Sequence, residues 1–447
     1  MVICNWSLVI PLQVIIVKSG AKFQSDSVII SNMFKAKEIE AVTGGKIIDP
    51  KKARSYKGIS TDTRTINPGE LFIPLRGPNF DGRTFIPQAL KKGAAALDVA
   101  DGLKALQDLA AVHRPKFNFP IIGITGSVGK TTTKDMLASI LSQRYKTLKN
   151  EENFNNEIGV PLTLLKLNQQ HQAAVIEMGM QGLGEIGLLA QITRPTVTVV
   201  TNIGEAHLEF LKTKKNVARA KAEIFRYLTS QDYAVINQDD EFFEHLRSIA
   251  KEHAAKIVTF GLLEKADITT ADLAGINLPV PGEHNIYNAL AALAVAKVLH
   301  LNKKQIKTGL EKFHPSSKRM EVINRADGVK IINDTYNANP QSMAAALKVL
   351  AGTPAQRRIA VLGDMYELGA KTTSAHRKIG CLARKLGIDL LFSVGEFSKT
   401  MTADHHFPQK KLVLNKLKTI LAPGDVLLFK ASRGMHLEDL VEALRKI

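Results

Sequence analysis

The stretch GITGSVGKTTT (123–133) carries residues suited to holding phosphate, set between an apolar run, FPIIGIT, and a helical one, KTTTKDMLASIL. In a strand–turn–helix of this kind the backbone N–H groups of Gly126, Ser127, Val128 and Gly129 can face phosphate oxygens at the positive end of the helix dipole. Lys130 adds a full charge, Thr131 a hydroxyl able to hold Mg2+, and Thr132 continues the first turn. The longer G-x-x-x-x-G-K-[ST] pattern asks for glycine at 124 and meets Ile124, with Gly123 and Gly126 on either side. A turn that merely packs a helix on a strand would use similar letters, but Gly-Lys-Thr at the junction favours phosphate binding.

A phosphate loop alone serves kinases, GTPases, motors and ligases, so the neighbouring strand ends must discriminate. AVIEMG ends a strand on Glu177, a carboxylate where a cation needs one. TNIGEAHLEF ends another near His207, an unusual ligand for a hard cation. Lys221 of ARAKAEIF falls on a predicted helix and, taken alone, reads as a solvated lysine. In GEHNIYNALAA, Asn285 and Asn288 lie three apart on one helix face and could present amides to a base. Capping of that helix by Asn285 after Gly282 fits the same letters. No NKxD guanine reader and no protein-kinase signature follows.

These residues need parallel sheets behind them. From Phe119 the runs FPIIGITG, AAVIEMG, TVTVVTNIG, DYAVIN and KIVTFG alternate with helical stretches, as doubly covered parallel strands do. A second series, VKIINDTY, RRIAVLGDM, DLLFSVG and DVLLFKASRG, follows SSKRMEV. The expected fold is α/β with three domains: a small α/β unit (33–118), a central parallel-sheet domain with the phosphate loop (119–315) and a Rossmann-like domain (316–447). Residues 1–32 read as an extension, with Met33 a second, or the true, start ahead of an amphipathic helix ending at Gly44-Gly45.

The chain has 447 residues, 45% of them hydrophobic, and a formal charge of +18. No apolar run reaches the roughly 18 residues of a membrane span; Leu8–Val17 is broken by Pro11 and Gln13 and lacks a preceding basic segment. Two cysteines, Cys4 and Cys381, are too few for a disulfide framework or zinc cluster and suit a reducing cytoplasm. The basic residues are dispersed rather than gathered in a tail, which argues against a nucleic-acid partner and suits a solvated surface attractive to anionic metabolites.

Together, STDTR, PGELFIPLRG, DGRTF, GITGSVGKTTT, NFNNEIGVPLTLL, EMG, NIGEAHLE, AKAEIF, GEHNIYNALAA, RMEV, NDTYNANP, VLGDMYELG and KASRGMHLE resemble the Mur ligase family from about Met33 onward. Within it they are most similar to the branch that adds D-alanyl-D-alanine to a UDP-N-acetylmuramoyl tripeptide, because YNANP stands where the diaminopimelate-adding branch has D-N-P-R. Members carry a shortened T-G-x-x-G-K-T loop, so Ile124 marks a subclass. The resemblance implies ATP and Mg2+ as cofactors, an acyl-phosphate intermediate, a cytoplasmic role in peptidoglycan precursor synthesis linked to cell division, and a monomer.

By motif position, Lys130 would meet the β/γ-phosphates, Thr131 and Glu177 would hold one Mg2+, and His207 would help hold a second. Lys221 matches a lysine that in this family is often carbamylated, which would turn a cation into a metal ligand. Asn285 and Asn288 would face adenine, while Arg319 would reach phosphate and Asp334 ribose; without the resemblance these last two would read as an interdomain ion pair and a turn cap. Ser60, Asp62, Thr63 and Arg64 fall where the family binds the UDP end, though a capped turn uses the same letters. Asn156 would touch substrate, and Asn337, Ser432 and Arg433 would lie near the incoming dipeptide. DGRTF departs from the more familiar D-G-H-D-F and leaves Arg83 without an assigned role.

Overall fold

The computed structural model describes residues 28–29, 35–151, 153–253, 255–263 and 265–446. Met33 and most of the segment read as an extension lie outside the described residues. Val28–Ile29, within that segment, form a short strand. The chain divides into two compact units, one ending at Leu103 and one starting at Lys104.

The first unit holds β1 (Val28–Ile29), β2 (Lys46–Ile48), β3 (Gly58–Ser60), β4 (Leu71–Phe72), β5 (Arg76–Gly77), β6 (Phe80–Asp81) and β7 (Ala95–Asp98). Five of them form a mixed sheet in the order β1-β3-β4-β7-β2, and β5 and β6 make a separate hairpin. The helix Ala36–Thr43 ends on Gly44, whose φ of 67° is the left-handed turn a helix C-terminus favours, as the Gly-Gly pair predicted. Its small core gathers Ile66, Phe72, Ala89, Ala94 and Ala96.

The second unit begins within the helix Gly102–His113, whose end is anchored ahead of the change of pattern at Phe119. His113 Nε2 lies 3.0 Å from the Leu167 carbonyl, and Arg114 donates to the carbonyls of Thr193 at 2.8 Å and Arg194 at 3.1 Å. Six parallel strands follow: β8 (Ile121–Thr125), β9 (Thr147–Lys149), β10 (Ala173–Glu177), β11 (Val197–Val200), β12 (Tyr233–Asn237) and β13 (Lys256–Phe260), in the order β13-β12-β11-β8-β10-β9. Because β8 lies between β10 and β11, its C-terminal end opens where connections leave in both directions, the place where α/β sheets bind ligands. The helix Lys130–Leu141 packs against the alanine-rich helix Glu283–Val298, joining Met136, Leu137 and Ile140 to Leu290 and Leu293 in one core.

The last sheet contains β14 (Glu321–Asn324), β15 (Lys330–Asn333), β16 (Arg357–Gly363), β17 (Leu390–Val394), β18 (His405–Phe407) and β19 (Asp425–Lys430), in the order β14-β15-β19-β16-β17-β18. Only β14 runs antiparallel to its neighbour. Its apolar cores, one around Leu347, Leu350 and Met343 and one around Phe392, Phe429 and Val441, cover both faces.

Candidate active site

The phosphate loop is wound by its glycines and braced from β11. Gly126 and Gly129 have φ of 153° and 84°, which L side chains rarely adopt. A Cβ on Gly126 would stand 1.8 Å from Thr201 Oγ1, and one on Gly129 2.2 Å from Asn288 Oδ1. Thr201 Oγ1 and Asn202 Nδ2 both donate to the Val128 carbonyl, at 2.6 and 3.0 Å, while Val128 N–H donates to Asn202 Oδ1 at 3.0 Å. Ser127 N–H is spent on the Asn202 carbonyl, and its hydroxyl accepts from Gly204 N–H. Lys130 Nζ donates 2.7 Å to the Gly126 carbonyl. Burial lowers its pKa, Glu177 opposes this, and Arg319 adds to it.

Glu177, buried at the end of β10, is the centre of charge. Its Oε2 accepts from Thr131 Oγ1 at 2.8 Å and its Oε1 from Asn155 Nδ2 at 2.9 Å. Asn150 fixes its backbone on both sides, accepting from Glu177 N–H at 2.9 Å and donating to its carbonyl at 3.0 Å. Burial would raise the carboxyl's pKa, but Lys134, Lys130 and Arg319, with the Asn155 hydrogen bond, outweigh burial and hold it below its ordinary value. Hard hydroxyl and carboxylate oxygens at one point are the donor set that suits Mg2+.

Two of the four expected metal residues are in contact. Thr131 and Glu177 meet, whereas His207 turns to the last domain: its Nδ1 lies 2.6 Å from Glu367 Oε2, and its φ of 55° is left-handed. Glu367 is held below its ordinary pKa first by that hydrogen bond. Among the described residues no cluster of three His, Cys, Asp or Glu could hold a metal. Lys221, which by itself reads as solvated, is 1% exposed. Burial, and then the charge of Lys130, push its pKa well below the ordinary lysine value.

Asn285 does not cap its helix. Gly282 is the capping residue, and Asn285 sits in the first turn with Nδ2 donating 2.7 Å to the Pro281 carbonyl. Asn288 donates to Asn285 Oδ1 at 3.1 Å and accepts from Thr133 Oγ1 at 3.3 Å, which places it beside the loop rather than on an open face. Arg319 stacks 3.7 Å from the centroid of the Tyr336 ring, with its buried Nε lacking a hydrogen-bond partner among the described residues. Asp334 accepts from Met320 N–H and pairs with the buried Lys430. Asn337 Oδ1 accepts from Ala338 N–H and Ser432 Oγ accepts from Tyr366 N–H, both at 2.8 Å. The Arg433 guanidinium lies 5.3 Å from the same Tyr336 ring. Asn156 Oδ1 accepts from Gly159 N–H at the start of the helix Gly159–Leu164, so it is Asn155 of NFNN that touches Glu177.

In the first unit, Asp62 accepts from Arg64 N–H and is forked by the Arg64 guanidinium, 2.6 Å at its shortest. Ser60 Oγ accepts from Asp62 N–H, and Thr63 Oγ1 donates to Gln88. Arg83 repeats the arrangement on Asp81. Reading by motif passed over Lys134, Asn150, Asn155, Asn202 and Tyr336. Asn150, Asn202 and Tyr336 carry a signal of position, each following a strand end where side chains converge, whereas Lys134 and Asn155 carry none.

Family patterns match the chain in three consecutive pieces: "Mur ligase family, catalytic domain" over residues 55–118, "Mur ligase middle domain" over 124–296, and "Mur ligase, glutamate ligase domain" over 318–433. The UDP-N-acetylmuramoyl-tripeptide--D-alanyl-D-alanine ligase of Synechocystis is 40% identical over 86% of this chain and 91% of its own. That of Escherichia coli is 36% identical over 87% and 93%. A crystal structure of MurF from Acinetobacter baumannii superposes with a TM-score of 0.85 at 34% identity, covering 93% of this chain and 99% of that one. MurF ligase from Thermotoga maritima, solved in complex with ADP, superposes at 0.77 with 26% identity, covering 87% and 97%.

Proposed function

Because the chain belongs to the Mur ligase family, we propose that it is the ATP-dependent ligase joining D-alanyl-D-alanine to a UDP-N-acetylmuramoyl tripeptide, in the cytoplasm, as a monomer. The observation that carries this is the 40% identity, over 86% of this chain, to a UDP-N-acetylmuramoyl-tripeptide--D-alanyl-D-alanine ligase; the loop with Lys130 and the Thr131–Glu177 pair supports the ATP half of the reaction. In such a ligase ATP supplies the phosphoryl group that turns the tripeptide's terminal carboxylate into an acyl phosphate, from which the dipeptide amine displaces phosphate.

The protein's share is charge and alignment. The first-turn N–H groups of the helix Lys130–Leu141 and the Lys130 amine bind phosphate, whereas the Ser127 and Val128 N–H groups, expected from the sequence to do so, are committed to Asn202. Thr131 and Glu177 would hold Mg2+, with Glu177 kept ionised by its cationic neighbours. Lys221, once carbamylated, would supply a further anionic ligand, and its burial beside Lys130 lowers its pKa in the direction carbamylation needs. His207 serves that site after releasing Glu367. Asn285, Asn288, Arg319 and Asp334 hold the rest of the nucleotide, Asn337, Ser432 and Arg433 the dipeptide. The unit at 33–118 takes the UDP end through Ser60, Asp62, Thr63 and Arg64, and Asn156 meets the tripeptide arm. The division into 33–118, 119–315 and 316–447 thus follows three ligands.

The test is phosphate release measured with each acceptor alone and with both. Ligation requires the UDP-muramoyl tripeptide and D-alanyl-D-alanine together and yields a new amide in mass spectrometry. ATP turnover indifferent to both would instead indicate a P-loop switch, and acceptance of single amino acids a different Mur-type ligase. Offering lysine and diaminopimelate tripeptides side by side identifies the third residue.

A further inference from the structure

Arg319 and Arg433 come from opposite ends of the last domain's sequence, yet both guanidinium groups lie at one ring, 3.7 and 5.3 Å from the Tyr336 centroid. Each also has a buried nitrogen without a hydrogen-bond partner among the described residues, Nε of Arg319 and Nη1 of Arg433. Two cations at one ring with unspent donors need something to keep them there. Glu438 supplies part of it, 3.0 Å from Lys318 Nζ and 3.7 Å from Arg433 Nη1. The ring face supplies the rest, since an aromatic quadrupole attracts guanidinium without using its donors.

Tyr336 is itself tied on two sides. Its N–H donates 3.1 Å to the Lys318 carbonyl, in a stretch where Lys318 and Met320 both have left-handed φ, 64° and 51°. Strain of this kind around Arg319 persists only where the surroundings enforce it. The Tyr336 hydroxyl donates 2.5 Å to Asn153 Oδ1. Asn153 lies two residues before Asn155, which holds Glu177. The ring is therefore linked through Asn153 to the segment that holds Glu177, and contacts both arginines.

We infer that Tyr336 is a positioning residue that holds Arg319 and Arg433 as one unit, so that the nucleotide and the incoming dipeptide are gripped through the same ring. This rests on the ligase reading for the roles of the two arginines. Its consequence is specific: loosening the ring weakens two chemically unrelated ligands together and leaves the third, the UDP-linked tripeptide, alone.

The experiment is steady-state kinetics of the full chain with each substrate varied in turn, beside calorimetric binding of a non-hydrolysable ATP analogue, for wild type, Tyr336→Leu and Tyr336→Phe. For Tyr336→Leu we expect KM for ATP and for D-alanyl-D-alanine each to rise about tenfold, with analogue affinity falling by the same factor. KM for the tripeptide stays within about twofold. Tyr336→Phe keeps the ring and loses the hydroxyl with its bond to Asn153, so its shifts stay within about threefold.

A rise in only one of the two KM values, in neither, or in all three equally overturns the inference, as does a phenylalanine variant as impaired as the leucine one. If Tyr336→Leu melts early, Tyr336→Met fills the volume without a π face and is read in the same way. The wild-type acceptor requirement is the separate control. Its failure removes the ligase reading, while analogue affinity still reports whether the ring holds Arg319.

Discussion

At the scale of the residue, Lys130 is the position where charge matters most. Replacing it with alanine should lower ligation by at least about a hundredfold. Its amine bonds only a loop carbonyl, so the melting temperature should hardly move, which differential scanning calorimetry checks. Lys221→Ala makes the opposite kind of prediction: a buried amine exchanged for a void, with activity partly restored by formate or acetate if the missing group is a carbamate. Absence of rescue, with the variant folded, would remove Lys221 from the metal site. Lys130, Thr131 and Glu177 were legible because motif spacing and strand ends point at them. Lys134 was not: it follows Thr133 as one more helical lysine, and only folding brings its Nζ to 3.7 Å from Glu177.

At the scale of the element, the turn from β8 into its helix depends on two glycines. Gly129→Ala would combine a φ of 84° with a Cβ driven into Asn288 Oδ1. It should cost about 1–3 kcal/mol of stability and abolish nucleotide binding, both measurable by denaturant titration with and without ATP. The helix Gly102–His113 carries a pH signature. His113 is buried and its pKa is depressed to about 4, chiefly by burial. Its contribution to stability is complete above its unfolded pKa of about 6.5 and is lost as the pH falls towards 4, at most about 3 kcal/mol. Urea titrations at pH 7 and pH 4.5 should reveal the loss, and His113→Gln should flatten it. Long apolar strands such as β8, β10 and β16 were plain from their composition. The edge strands β9, β14 and β18 were not, since TLK, EVIN and HHF have neither length nor apolar run, and pairing with a neighbour makes them strands.

At the scale of the whole molecule, two compact units imply two unfolding transitions in calorimetry. A non-hydrolysable ATP analogue at a hundred times its Kd should stabilise the larger unit by about 2.7 kcal/mol, raising one transition and leaving the other in place. Coincident shifts would mean that the units melt as one. The order of three α/β domains was readable because strand runs and helices alternate down the chain, and the family patterns fall in that order. Which side chains face each other across the central and last sheets was not, as His207 turning to Glu367 illustrates. The bracing of the loop by Thr201 and Asn202 has one more consequence, in time rather than in energy. A cradle already wound has no slow winding step to wait for, so nucleotide capture should be a single second-order phase in stopped-flow fluorescence, its rate rising linearly with concentration and set by diffusion and charge.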